Sequence, residues 1–250
     1  MTGIGKKKSI YYRGLTLVFF ILLVGTASGC TSGEVVYDRL RESMVREQIV
    51  ERGITDESVI SAMKSVPRHL FVPEEYKSMA YIDSPLPIGS RQTISQPYIV
   101  ALMTAFLQPD STDRILEVGT GSGYQAAVLA MIVDSVFTIE ILPELASRSS
   151  ALLASLGYGR VEVMAGDGYN GWPQKAPFDG VIVTAAAPRV PELLVEQLKT
   201  GGMLIIPEGS FPQKLNVYEK SPEGLKLHSS VPVQFVPMTG RIRERNDTTK

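Results

Sequence analysis

Between Arg114 and Ala130 the chain reads RILEVGTGSGYQAAVLA. An apolar run stops at Gly119, Gly121 and Gly123, spaced every second residue, and an Ala/Leu-rich stretch follows. Such a strand–glycine turn–helix brings backbone close to a ligand, because glycine carries no Cβ and takes positive φ freely. The alternation continues beyond it. The pattern predicts strands at Arg114–Val118, Ser135–Glu140, Val161–Ala165, 179–184 and 202–207, with helices at 123–133, 143–156 and 191–199. This order predicts an α/β fold, a doubly wound, mostly parallel sheet of the Rossmann-like kind covered on both faces.

Before the glycine loop, apolar spacing predicts a helix over 37–53 and a second one from Thr55 or Asp56 as N-cap. A third follows over 96–109, with Pro97 in its first turn. VPRHLFVPEEY and DSPLPIGS read as Pro-rich irregular connectors. After residue 213, KLNVYEK and LKLHSSVPVQFVPM alternate with period two, predicting an antiparallel C-terminal edge. The closing RIRERNDTTK reads as a polar, frayed end.

In open α/β sheets ligands bind at the carboxyl ends of strands, where the strand order reverses. Glu140 ends the second strand, where a carboxylate can accept from both ribose hydroxyls. That suits a dinucleotide and S-adenosylmethionine equally. Glu117 separates them, since it directly precedes the loop and would repel a pyrophosphate placed there. S-adenosylmethionine carries a sulfonium and an ammonium, and an acid beside the loop favours both. The loop also lacks the Gly-x-Gly-x-x-Gly spacing of dinucleotide folds. Read structurally, Glu117 would be an exposed strand-end acid and Glu140 a helix-capping acid before Pro143. Asp167, between Gly166 and Gly168 in VMAGDGYNGW, has two open readings: a reader of an adenine amino group, or an ordinary Asp-Gly turn.

LPIGSRQTISQPYIVALM, residues 86–103, resembles the signature of the protein-L-isoaspartate O-methyltransferase family. The similarity continues in LEVGTGSGYQAAVLA, GDGYNGW, APFDGVIVTAAAP, LKTGGMLIIPEG and FVPMTG, in the same order over residues 37–240. QTISQP and VTAAAP are far more specific than a glycine loop. The resemblance implies methyl transfer from S-adenosyl-L-methionine to the free α-carboxylate of L-isoaspartyl residues in damaged proteins and peptides. The ester then closes to a succinimide, which can reopen as normal aspartate. It further implies Ser95 as the active-site residue, with Gln92, Thr93 and Ile94 lining cofactor and substrate. Glu117, Gly119, Gly121, Gly123, Glu140, Asp167, Gly168 and Thr239 match the cofactor site. A hydrolase reading of Ser95 fails, because no Gly-x-Ser-x-Gly elbow surrounds it; an N-cap role for the helix at Pro97 stays open beside the catalytic one. His69 and His228, the two histidines, are read as structural. One departure stands out: family members commonly carry a small residue just before QTIS, where this chain has Arg91. Arg91 would either draw the anionic substrate to the entrance or be a solvated loop cation. Two other functions remain: a methyltransferase of the same fold acting on another carboxylate or a small molecule, and an exported binding protein without catalysis.

A formal charge of −1 over 250 residues, with no Lys/Arg-rich block in the body, argues against nucleic acid as a partner. Residues 1–30 differ from the rest. Lys6, Lys7, Lys8 and Arg13 precede LTLVFFILLV and then GTASGC, the order of a secretory signal. ASGC ending in Cys30 resembles a lipoprotein processing site, which would attach the chain to a membrane through a lipidated Cys30. Without this segment the formal charge falls to −5. Cys30 is the single cysteine, so no intramolecular disulfide and no cysteine-based metal site can form. The expected organisation is a signal segment over 1–30 and one methyltransferase domain over 31–250, working as a monomer. Cofactor supply and family argue for the cytoplasm; the signal and Cys30 argue for an inner-membrane or periplasmic lipoprotein.

Overall fold

The computed structural model describes residues 32–243 together with Met1. The expected signal segment, Cys30 and the last seven residues lie outside the described residues.

Helix α1 (Ser32–Met44) runs directly into a wider π-helical turn, Val45–Val50, which buries Val45 and Ile49. The single helix predicted over 37–53 is therefore two segments of different pitch. Helix α2 (Glu57–Ser65) starts at Asp56, whose carboxylate accepts from the amides of Ser58 and Val59 at 2.9 and 3.1 Å. This satisfies amides that the first helical turn leaves unpaired. The Pro-rich connectors carry more order than their composition suggests. They fold as two 3-10 turns, Arg68–Phe71 and Glu74–Met79, and then as strand β1 (Leu86–Gly89). β1 pairs antiparallel with β2 (Gln92–Ile94) in a separate two-stranded sheet. Helix α3 (Pro97–Leu107) takes Gln96 as its N-cap residue, so Ser95 lies outside the helix and does not cap it.

The main sheet contains β3 (Arg114–Val118), β4 (Ser135–Glu140), β5 (Val161–Ala165), β6 (Phe178–Val183), β7 (Leu198–Glu208), β8 (Gln213–Ser221) and β9 (Gly224–Val233). Their spatial order is β5-β4-β3-β6-β7-β8-β9. The first five are parallel; β8 and β9 add antiparallel ladders. Helices α4 (Tyr124–Ala130), α5 (Pro143–Ser155) and α6 (Glu192–Gln197) make the crossovers. The predicted parallel sheet with an antiparallel edge is the observed one. Other boundaries move: α4 ends at Ala130, β6 runs one residue earlier than expected, and α6 stops at Gln197 because Leu198 already begins β7, which extends to Glu208.

Alternation along the strands builds two layers of core, because successive side chains face opposite sides of a sheet. Ile115, Ile182 and Ile205 pack with Met103, Leu107 and Leu129 on one face. Leu116, Val118, Val181 and Val183 pack with Leu194 on the other. A third cluster joins the N-terminal helices to Tyr124, Val128 and Leu153. The far end is anchored as well: Ile242 is fully buried, so the tail expected to fray from Arg241 is held through Arg243. Among the described residues, no helix is long and apolar enough to cross a membrane.

Candidate active site

From β3 the chain winds outward through β4 and β5, then crosses back to β6 on the other side of β3. The carboxyl ends of β3 and β6 thus diverge into opposite connections, leaving a crevice between them. A partly open cleft lies there, at the position where ligands bind in open α/β sheets. It is lined by the glycine loop after β3, the ends of β4 and β6, the segment Gln92–Ser95, and Met238 with Thr239 near the C-terminus.

The loop after β3 turns because Gly119 holds φ +102, and a Cβ there would fall 2.3 Å from Oγ1 of Thr184. That threonine donates to the Gly119 carbonyl at 2.6 Å and so locks the turn against β6. Further along, the Gly121 amide donates to Oε2 of Glu140 at 2.9 Å, while Oε1 accepts from Leu142 N at 3.0 Å. In a phosphate-binding loop such an amide would face the phosphate; here a carboxylate takes it. The loop is consequently shaped against a pyrophosphate, and Glu140 is held rigid at the cleft with lone pairs to spare for hydroxyl donors.

Glu117 is fully buried at the cleft. It pairs in register with Thr138 of β4, whose hydroxyl donates to its Oε2 at 2.5 Å. Since Thr138 has one proton to give, its oxygen accepts from Thr120, 2.7 Å away. Oε1 of Glu117 has no partner. Burial pushes this carboxyl up to about 8, with the hydroxyl of Thr138 opposing and the charge of Glu140 adding to the rise. An unpartnered buried carboxylate oxygen is costly unless something in the cleft completes it. In the ionised form a cation fits that requirement.

The structure brings Gln92, Thr93, Ile94, Ser95, Glu117, Gly119, Gly121, Glu140, Gly168 and Thr239 together around this cleft. Two expected contacts are placed differently. Gly123 lies outside the lining; it heads α4 with φ +86, and a Cβ there would press on Leu153 at 3.1 Å, so it serves helix packing. Asp167 is also outside, its carboxylate accepting from Tyr169 N at 3.0 Å and Arg241 N at 2.8 Å. These bonds make it a turn residue that also ties down the C-terminal segment, beside Gly168 of the lining. His69 stacks on Tyr37 and contacts the Tyr81 hydroxyl at 2.8 Å, and His228 pairs with Glu219; neither reaches the cleft. Sequence reading missed Thr138 and Thr120. A threonine between the buried apolar residues of β4 was the available signal, but its partner became visible only with the strand register.

The model of the family described as protein-L-isoaspartate(D-aspartate) O-methyltransferase matches residues 39–243. The chain is 51% identical over 231 residues to the protein-L-isoaspartate O-methyltransferase of Opitutus terrae, covering 90% of this chain and 97% of that one. The chain belongs to this family. A further family member, protein-L-isoaspartate O-methyltransferase 2 of Shewanella sediminis, is 48% identical, with 91% and 96% of the two chains covered. A solved protein-L-isoaspartate O-methyltransferase superposes with a TM-score of 0.76 at 28% identity, over 82% of this chain and 69% of its own. A Plasmodium falciparum structure named for the same activity, in complex with S-adenosyl-L-homocysteine, gives a TM-score of 0.68 at 26% identity, over 81% and 98%. Over about four fifths of its length the chain thus has the fold of solved proteins named for this activity.

Proposed function

We propose that this protein repairs damaged polypeptides by transferring a methyl group from S-adenosyl-L-methionine to the free α-carboxylate of L-isoaspartyl residues. One observation carries the reading: the cleft of a family member holds a buried, unpartnered carboxylate oxygen, Oε1 of Glu117, suited to a cationic methyl donor. When bound, that donor supplies an electrophilic methyl group on a positively charged sulfur. Glu117 would face its positive end, Glu140 would take the ribose hydroxyls, and Gly119 and Gly121 with Gly168 and Thr239 would enclose the rest.

The acceptor needs no base. A carboxylate ionises near pH 4 and reaches the cleft as an anion. The work left to the chain is alignment and exclusion of water, which in favourable geometry lowers a barrier substantially. Ser95 ends the β1–β2 hairpin segment and borders the cleft, and its hydroxyl orients one carboxylate oxygen while the other attacks. A firm bond to the attacking oxygen would hinder the reaction, since that oxygen loses charge on becoming an ester. Ser95 is thus an orienting group and forms no covalent bond.

The test is labelled methyl transfer to an isoaspartyl peptide and to its aspartyl twin. Label is expected on the isoaspartyl peptide alone, with Ser95→Ala lowering kcat by about 10–100-fold. Equal labelling of both peptides would defeat the reading. The cytoplasm is assigned as the working compartment because the cofactor is made there. The rival lipoprotein reading, with lipidated Cys30, rests on ASGC, and cell fractionation with mass spectrometry of the mature N-terminus decides between them.

A further inference from the structure

Behind the cleft wall lies a charge with no evident employment. Arg68 is fully buried in the 3-10 turn after Pro67. Its Nε donates to the Ala80 carbonyl and one terminal nitrogen, Nη2, to the Ser95 carbonyl, both at 2.7 Å. The guanidinium lies 4.8 Å from the ring centre of Tyr124. Nη1 has no partner, and among the described residues no carboxylate forms a salt bridge with it. Asp83, an acid whose charge it feels, is itself paired with Arg52 at 2.8 Å. Burial pulls Arg68 down to about 10, which leaves it charged at neutral pH.

A buried charge without a counter-ion is unfavourable, and an apolar side chain of similar volume would fill the space better for stability alone. Both its placement and its contacts point toward the cleft. Ser95, whose carbonyl it holds, and Tyr124, whose face it covers, are lining residues. Four buried side-chain atoms lack partners among the described residues, and two of them flank this one site: an acid oxygen in Glu117 and a guanidinium nitrogen in Arg68. The two reactants carry the complementary charges, a cationic methyl donor and an anionic acceptor.

We propose that Arg68 is a positioning residue for the acceptor: it fixes the backbone of Ser95 and supplies the buried positive charge that favours an ionised carboxylate in the cleft. The inference rests on the proposed reaction, with the acceptor seated at Ser95. It acts through the cleft wall and touches no reacting atom. Its charge stabilises the bound anion before the methyl group moves, so it strengthens substrate binding more than it speeds transfer. Its fork, holding two carbonyls at once, sets where the Ser95 hydroxyl stands.

These two contributions separate in variants. Arg68→Lys keeps the charge and loses the fork; it is expected to keep the isoaspartyl-peptide KM within about threefold of wild type and to lower kcat. Arg68→Gln loses the charge, and its peptide KM is expected to rise about tenfold or more, with affinity for S-adenosyl-L-homocysteine unchanged in both. Equal KM in Lys and Gln variants would overturn the proposal. A second measurement needs no variant. In the wild-type complex with S-adenosyl-L-homocysteine, NMR of a 13C-labelled isoaspartyl α-carboxylate should show its pKa lowered by about one unit, a tenfold preference for the anion. An unshifted value in a peptide that binds would remove Arg68 from the mechanism while leaving the reaction intact. A wild-type protein that neither binds nor methylates the peptide would instead remove the reaction itself, and this proposal with it.

Discussion

Glu117 shows what one buried side chain can report. Burial pushes its carboxyl up to about 8, so at pH 7 it is mostly protonated. A bound cation holds it ionised, and binding then releases a proton. Affinity for S-adenosyl-L-methionine should rise between pH 6 and 8, approaching tenfold per unit at the acid end. Calorimetry in buffers of different ionisation enthalpy would measure the released proton. Glu117→Gln should flatten this profile and weaken binding about tenfold or more. Stability moves the opposite way. An unfolded glutamate ionises near 4.3, so the folded chain binds more protons between there and 8. The ligand-free protein therefore loses stability as pH rises through that window, and Glu117→Gln should lessen the loss, as thermal melts at pH 5 and 8 would show. The acid was legible in the sequence because it stands beside the loop. Its burial and its hydroxyl relay were not, since both depend on the pairing of β3 with β4.

At the scale of elements, the β1–β2 hairpin turns through Ser90 and Arg91, both left-handed at φ +50 and +58. A side chain in that region costs about 1–2 kcal/mol, which glycine avoids. The turn thus gives glycine a backbone advantage at the Arg91 position. Arg91→Gly should raise stability by up to about 1 kcal/mol in urea unfolding with an unchanged m-value. Arg91 is also exposed beside Gln92 at the cleft. The same variant is expected to raise peptide KM about twofold at low salt and to match wild type at high salt. Equal values throughout would leave a solvated turn cation. This hairpin is also where sequence reading fell short. β3, β4 and β5 matched to the residue because buried parallel strands read as unbroken apolar runs between turn signals. β1 and β2 are four and three residues long, with Pro85 and Pro87 at the start; so short a pattern, interrupted by proline, has no period to detect. The π-helical turn after α1 escaped for the opposite reason, since its apolar spacing continues that of the helix before it.

Across the whole molecule, the cleft is closed by residues distant in sequence. Ala186 donates to the Val236 carbonyl at 2.8 Å and its own carbonyl accepts from Met238 at 2.7 Å, so the C-terminal segment lies along the end of β6. Asp167 pins the same segment from the end of β5 through Arg241. Asp167→Ala should cost about 1–2 kcal/mol of stability and raise the cofactor KM severalfold, with peptide KM less affected. Saturating cofactor should recover most of the lost melting temperature, because a ligand bound only to the folded form stabilises it.

The hairpin bearing Gln92 to Ile94 belongs to a two-stranded sheet of its own, roped to α5 by Arg148, which donates to the Ile88 carbonyl at 2.6 Å. In the proposed reaction, the wall that meets the acceptor at Ser95 thus hangs from a smaller scaffold than the glycine loop does. Changes in the small one can retune which polypeptides are accepted while the larger keeps its grip on the methyl source, so selectivity is free to drift without retooling the engine.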